Sequence, residues 1–255
     1  MPFELVTVPC RTDNYAFLLH DGESGRTALI DAPEAAPIAA ALKARGWGLD
    51  EIWITHHHGD HVDGVEALRD DFGATVAGAA ADAHRLPALD RTVAEGDVFD
   101  FAGAEVRVID VSGHTVGHVA FHVPAAGAVF TGDSLMALGC GRLFEGTAAQ
   151  MWVSLSKLAA LPPKTLVCSG HEYTAANAAF ALTIEPGNPE LAARADAVRA
   201  ARAKGLPTVP SRLSEELATN PFLRAGLQDV KHGLSMAQDE DAEVFAEIRR
   251  RKDRF

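Results

Sequence analysis

The residues best equipped for chemistry are concentrated in Thr55-His56-His57-His58-Gly59-Asp60-His61. Neutral imidazole and carboxylate are ligands that zinc, iron and manganese all accept. Beyond His56, His58, Asp60 and His61, ligand-type residues recur in short glycine-containing segments. His114 follows Ser112-Gly113, Asp133 follows Thr131-Gly132, and His171 follows Ser169-Gly170. A lone Gly-His or Gly-Asp turn is ordinarily structural. Here every such segment ends an apolar, β-rich run, and the repetition favours a shared role. These ligands are too many for one tetrahedral ion, and they suit two ions that share a carboxylate. No Gly-x-Ser-x-Gly elbow occurs, so a serine nucleophile is not called for.

Strands must carry these segments. Residues 51–55 are apolar and β-branched, and residues 62–72 carry Val62, Val65, Leu68 and Phe72 at helical spacing, so the histidines fall where a strand gives way to a helix. In α/β folds, sites form outside the carboxyl ends of strands. Strands are also expected at 3–9, 15–20, 26–31, 74–79, 118–123, 127–131 and 165–169, with a hairpin of 97–101 and 104–111 around Gly103. Residues 80–95 resist assignment. Helices are expected at 34–45, stopped by Gly46, and at 148–160, while the glycine-rich 139–146 reads as a loop. Asp31 reads first as a turn or cap residue and second as a partner that orients a ligand. From about 174 the pattern changes to helices at 174–184, 189–204, 214–218 and 239–251, separated by Gly and Pro, with no convincing strand.

Composition bounds the class. A chain of 255 residues with 47% hydrophobic content can bury a substantial core. The net charge of −12 argues against non-specific nucleic-acid binding. Cys10, Cys140 and Cys168 form no paired motif, which excludes a cysteine metal knuckle and fits a reducing compartment. Met1-Pro2-Phe3-Glu4 does not open a signal peptide, and no apolar run reaches spanning length. A cytoplasmic protein with no membrane partner is the expectation.

The order His-x-His-x-Asp-His, then His, Asp and His, resembles the metallo-β-lactamase superfamily. That resemblance implies an αββα sandwich, here over residues 1–173, followed by a smaller all-helical domain over 174–255. It implies that His56, His58 and His114 hold one metal, that Asp60, His61 and His171 hold a second, and that Asp133 bridges them. His57 matches a position that is usually not a ligand. His118 is expected to be structural, and His20, His84, His122 and His232 are expected to be ordinary.

The likeness extends further. Asp13-Asn14-Tyr15, Gly132-Asp133, Gly139-Cys140-Gly141-Arg142, Glu145-Gly146-Thr147, Gly170-His171-Glu172-Tyr173-Thr174 and Arg249-Arg250-Arg251-Lys252-Asp253 are similar to the glyoxalase II family, the hydroxyacylglutathione hydrolases. The family's glutathione contacts fall on Arg142, Phe144, Tyr173, Arg249 and Lys252. Phe144 stands where a tyrosine is frequent, so packing replaces a hydroxyl contact. Arg142 replaces a frequent lysine and keeps the charge in a different geometry. Independently of the family, an acidic chain needs local positive charge to hold glutathione's carboxylates. Arg249 and Lys252, at i and i+3, share a helix face.

The resemblance implies hydrolysis of S-(2-hydroxyacyl)glutathione, chiefly S-D-lactoylglutathione, to glutathione and D-lactate, the second step of methylglyoxal detoxification. Two divalent ions, zinc first with iron or manganese as alternatives, would generate a hydroxide near neutral pH that attacks the thioester. Asp133 would hold the ions together and Asp60 would orient the attacking oxygen. A monomer acting on a small-molecule glutathione thioester is expected. The rival readings are a mononuclear-iron glutathione persulfide dioxygenase, a lactonase or β-lactamase, and a glutathione-conjugate binder without catalysis.

Overall fold

The computed structural model describes residues 3–255; Met1 and Pro2, where the expected first domain begins, lie outside the described residues. The chain forms two compact units. The first holds the described residues up to Val111 together with Val116–Gly132, and the second holds Ser112–Thr115 and Asp133–Phe255.

The first unit contains β1 (Phe3–Cys10), β2 (Asn14–Asp21), β3 (Thr27–Ile30), α1 (Ala35–Arg45), β4 (Glu51–Trp53), α2 (Gly59–Val62), α3 (Val65–Phe72), β5 (Thr75–Ala79), β6 (Arg91–Val93), β7 (Val98–Phe101), β8 (Ala104–Asp110), β9 (Val119–Val123) and β10 (Ala128–Gly132). One sheet runs β1-β2-β3-β4-β5-β6, antiparallel up to β3 and parallel beyond it. Leu29, Ile52 and Val76 stand side by side across its parallel part. Ile38 and Leu42 of α1 and Val65 and Leu68 of α3 join the buried cluster around Leu29, Ile52 and Val76, which fixes the helices on one face. The strands β10, β9, β8 and β7 form an antiparallel run. Trp53 ties the two sheets together, with its ring edge-on to Phe99 at 5.4 Å and to Phe101 at 5.3 Å. Each such ring pair adds about 0.5–1.5 kcal/mol beyond area burial. The hairpin expected around Gly103 is present. Ala102 and Gly103 both take positive φ, 54° and 79°, as a tight hairpin turn requires.

The second unit contains β11 (Leu135–Met136), β12 (Gly139–Cys140), α4 (Ala148–Ala159), β13 (Leu166–Ser169), α5 (Thr174–Ile184), α6 (Pro189–Arg202), β14 (Ser211–Arg212), α7 (Leu213–Thr219), α8 (Gln228–Gly233) and α9 (Asp241–Arg254). Thr147 and Gln150 close α4 with a reciprocal capping box. Asn188 caps α6 by accepting from the N–H groups of Glu190 and Leu191, both at 3.1 Å. Helix α4 packs with the last third of the chain through Trp152 on Phe245, ring centres 6.0 Å apart.

Several local expectations are corrected. The helix expected over 62–72 is two helices, α2 and α3, broken at Gly64. A Cβ there would lie 2.8 Å from the Ala35 nitrogen and 2.9 Å from the Ala32 oxygen, so the chain turns where only glycine fits. Residues 139–146 are not wholly loop, because Gly139–Cys140 pair with Leu135–Met136. The last third does contain a strand: β14 pairs antiparallel with β13, Val167 opposite Ser211. Two residues are too few for a periodic signal. Helix α8 was also missed, being short and lacking a capping side chain. The unassigned 80–95 holds a 3-10 turn at Ala80–Asp82 and β6.

Candidate metal centre

In the first unit, the carboxyl ends of β3, β4 and β5 deliver Asp31, the histidine segment and Asp82. Asp31 is not the turn-forming residue expected first. It is buried, and it accepts three hydrogen bonds at 2.8 Å each, from the Thr55 N–H, the Thr55 hydroxyl and His61 Nδ1. These contacts set the histidine tautomers. His61 donates from Nδ1 to a carboxylate, which leaves the lone pair on Nε2. The single Thr55 hydroxyl proton goes to Asp31, so His56 Nδ1, 3.1 Å from that hydroxyl oxygen, must donate to it. His56 therefore also presents Nε2 as a Lewis base. Carboxylate and hydroxyl partners of this kind orient metal-ligating imidazoles and raise their basicity.

The segment's other residues separate by role. His56 Nε2 and His58 Nδ1 face each other at 3.1 Å, and His61 Nε2 lies 3.9 Å from Asp60 Oδ2. Asn14 donates to both the Asp60 carbonyl, at 3.0 Å, and its Oδ2, at 3.1 Å. This positioning role gives Asp13-Asn14-Tyr15 a structural meaning that its spacing did not reveal. His57 turns away to Asp82, with Nδ1 at 2.8 Å from Oδ2, as expected of a residue that is not a ligand. His118 stacks on His56, with ring centres 4.6 Å apart.

In the second unit, Asp133 Oδ2 lies 3.5 Å from His114 Nε2 and 3.3 Å from His171 Nε2. His114 donates from Nδ1 to the Arg142 carbonyl at 2.7 Å, which again leaves Nε2 as the lone-pair nitrogen. His114, Asp133 and His171 are all buried. Two donors on one ion at 2.0–2.2 Å and a tetrahedral angle lie about 3.3–3.6 Å apart. The first unit's donor separations, 3.1 and 3.9 Å, lie on either side of that range, and the second unit's, 3.3 and 3.5 Å, lie within it. The residues therefore fit divalent metal ions by donor chemistry, tautomer and spacing, and one carboxylate oxygen in reach of two imidazoles is the geometry a bridging ligand needs.

The residues expected to contact glutathione are spread across the second unit. Tyr173 stacks on His171 at 4.7 Å with the rings 6° from parallel, and Phe144 stands edge-on to His114 at 5.2 Å; both rings are exposed. Arg142 is exposed and pairs loosely with Asp253 at 3.8 Å. The basic run of α9 is less available than its sequence implies. Arg250 and Arg251 are bound to Glu247, and their hydrogen bonds hold its carboxyl below the usual range. Arg249 is buried, donating to the Cys140 carbonyl at 3.0 Å and pairing with Asp253 at 2.8 Å. Lys252 is half-buried, with its ammonium 5.2 Å from the Phe180 and Phe255 ring centres. Burial, with Arg249 as a second cause, holds its pKa below that of an ordinary lysine.

Imidazoles and carboxylates at strand ends of an α/β fold define a metal-binding domain of the metallo-β-lactamase superfamily, whose model matches residues 12–171. The remainder, residues 172–255, matches the C-terminus of hydroxyacylglutathione hydrolases. Over 255 residues the chain is 65% identical to the hydroxyacylglutathione hydrolase of Ruegeria pomeroyi, covering all of both chains. Among solved structures it is similar to ETHE1 from Myxococcus xanthus (TM-score 0.66, 25% identity), over 98% of this chain and 90% of that one. It is also similar to TTHA1623, solved in a di-iron-bound form (TM-score 0.57, 29% identity), over 66% of this chain and 91% of that one. The chain belongs to the hydroxyacylglutathione hydrolase family.

Proposed function

We propose that this chain hydrolyses S-(2-hydroxyacyl)glutathione thioesters, S-D-lactoylglutathione foremost, to glutathione and the 2-hydroxy acid, as the second step of methylglyoxal detoxification. On this reading His56, His58 and His114 would hold one ion, Asp60, His61 and His171 would hold another, and Asp133 would be a ligand to both. The observation that carries this reading is Asp133 Oδ2 within 3.5 Å of one ligand histidine and 3.3 Å of another. Zinc is the first expectation. Iron and manganese suit the same donors, and a relative was solved with two irons.

Divalent ions, when bound, supply Lewis acidity: they acidify water and polarise a carbonyl. The chain's residues do the rest. Asp31 and Thr55 keep His61 and His56 in the ligating tautomer. Asn14 fixes Asp60, which accepts a hydrogen bond from the attacking water and so aims it. Phe144 and Tyr173 wall the approach, and Arg142 and Lys252 offer cations to the glutathione carboxylates. Arg249 acts through its contacts with Cys140 and Asp253. A thiolate leaves without strong acid assistance, which agrees with a site that needs no dedicated proton donor. Residues 1–173 form the catalytic domain and 174–255 the substrate-binding domain on this reading, in a cytoplasmic monomer. Among the described residues no helix is long and apolar enough to cross a membrane.

The test is turnover of S-D-lactoylglutathione by protein of measured metal content, following thiol release. Fully loaded protein that releases no glutathione refutes the reading. A single iron with oxygen uptake on glutathione persulfide would favour the dioxygenase instead.

A further inference from the structure

The segment joining Asp133 to Arg142 is held in an unusual way. All of Ser134–Gly141 is buried, and Leu138, at the tip of the β11–β12 hairpin, has a left-handed φ of 56°. A leucine there is strained and must be held by its surroundings. One backbone group on each of the five residues Met136–Cys140 is taken by a side chain of the helical region. Asn220 donates to the carbonyls of Met136, at 3.1 Å, and Gly139, at 3.0 Å. Asn177 donates to that of Ala137 at 3.0 Å, and Arg249 to that of Cys140 at 3.0 Å. The Leu138 N–H donates to Glu216 at 2.8 Å. Glu216 is fully buried, receives Asn220 at 3.0 Å, and is ion-paired with Arg194.

The hairpin transmits its position to the ligands. Gly141 donates to the Ser134 carbonyl at 3.0 Å, and a Cβ on Gly141 would lie 1.9 Å from the Asp133 backbone carbonyl oxygen and 3.0 Å from His114 Nδ1. The next carbonyl, of Arg142, receives His114 Nδ1. A shift of the hairpin therefore moves Asp133, the tautomer-setting partner of His114, and the Arg142 cation together. Hairpin stability alone does not require this arrangement, because a buried ion pair is commonly matched or bettered by apolar residues of similar volume.

We propose that Glu216 and Asn220 are positioning residues that set Asp133, His114 and Arg142 from the helical region. The proposal rests on the reading of Asp133 as a shared metal ligand.

Two double variants test it. Glu216→Gln with Arg194→Met removes the ion pair but keeps an acceptor for the Leu138 N–H. Glu216→Leu with Arg194→Met removes both. Metal retained after dialysis against a chelator, KM and kcat for the thioester, and thermal unfolding of the metal-free protein are measured for each. The Gln variant is expected to retain metal like the parent. The Leu variant, in which the Leu138 N–H loses its acceptor, is expected to unfold a few degrees lower when metal-free and to lose metal affinity by roughly tenfold or more, with kcat falling too. Equal metal retention by the two overturns the proposal. If the Leu variant does not fold, Asn220→Ala, which leaves Glu216 and Arg194 in place, must show the same metal loss, and parental retention there overturns it. Metal retention is read whether or not the parent cleaves the thioester, so an inactive parent would refute the assigned substrate and leave the positioning result standing.

Discussion

Replacing Asp31 by asparagine isolates the partner of His61. Asp31 sits at a φ of 56°, a conformation asparagine tolerates, so the change adds no backbone strain. It is nearly isosteric, and one amide oxygen can still accept the Thr55 N–H. The amide nitrogen then occupies the position of Oδ2, which accepts from both the Thr55 hydroxyl and His61 Nδ1. An N–H group cannot accept either proton. His61 must shift its proton to Nε2, the atom that faces Asp60, and a released Thr55 hydroxyl can donate to His56 Nδ1 and reverse that ring as well. Loss of one such partner weakens metal binding about 10–100-fold, or roughly 1.4–2.7 kcal/mol, and two affected histidines place Asp31→Asn at the upper end. Chelator competition on apo protein titrated with zinc measures this directly. The metal-free variant should lose about 1.5–3 kcal/mol of stability through the charged hydrogen bond to Asp31, which thermal unfolding reads separately. Wild-type metal affinity in Asp31→Asn would refute the assigned tautomers.

Two further predictions concern binding and thiol chemistry. Lys252 has a lowered pKa because of burial, so its charge is present at low pH and is lost on raising pH earlier than for an ordinary lysine. KM for the anionic thioester should therefore climb on the alkaline side with kcat steady, and Lys252→Met should raise KM at neutral pH and flatten that climb; an unchanged profile removes Lys252 from the site. Burial raises the thiols of Cys10 and Cys140 to about 11 and that of Cys168 further, so none should react with iodoacetamide at pH 8 until the chain unfolds. Labelling of native protein, read by mass spectrometry, would contradict this.

The metal chemistry and most of the elements could be read from the chain because both are local. The spacing His56, His58, Asp60, His61 puts donors on one strand-to-helix turn, and runs such as 174–184 carry enough length to declare a helix, which is where α5 lies. Short elements escaped: β14 and the β11–β12 hairpin hold two-residue strands, β14 finds its partner far back in the chain at β13, and the hairpin is held by the distant side chains of Asn177, Glu216, Asn220 and Arg249. The same distance hid the roles of individual polar residues. Asp31 lies 24 positions from Thr55 and 30 from His61, and Glu216 lies 78 from Leu138, so no periodicity links them. The basic run of α9 shows the opposite failure. As a string it offers four cations together, but packing buries Arg249 on Cys140 and ties Arg250 and Arg251 to Glu247. The sequence by itself determined which atoms could bind metal, because donor type and short-range spacing are properties of the chain. Only the tertiary structure decided which nitrogen of His56, His61 and His114 keeps its lone pair and which cations stay available, because tautomers and charges are set by partners that folding brings close from distant positions.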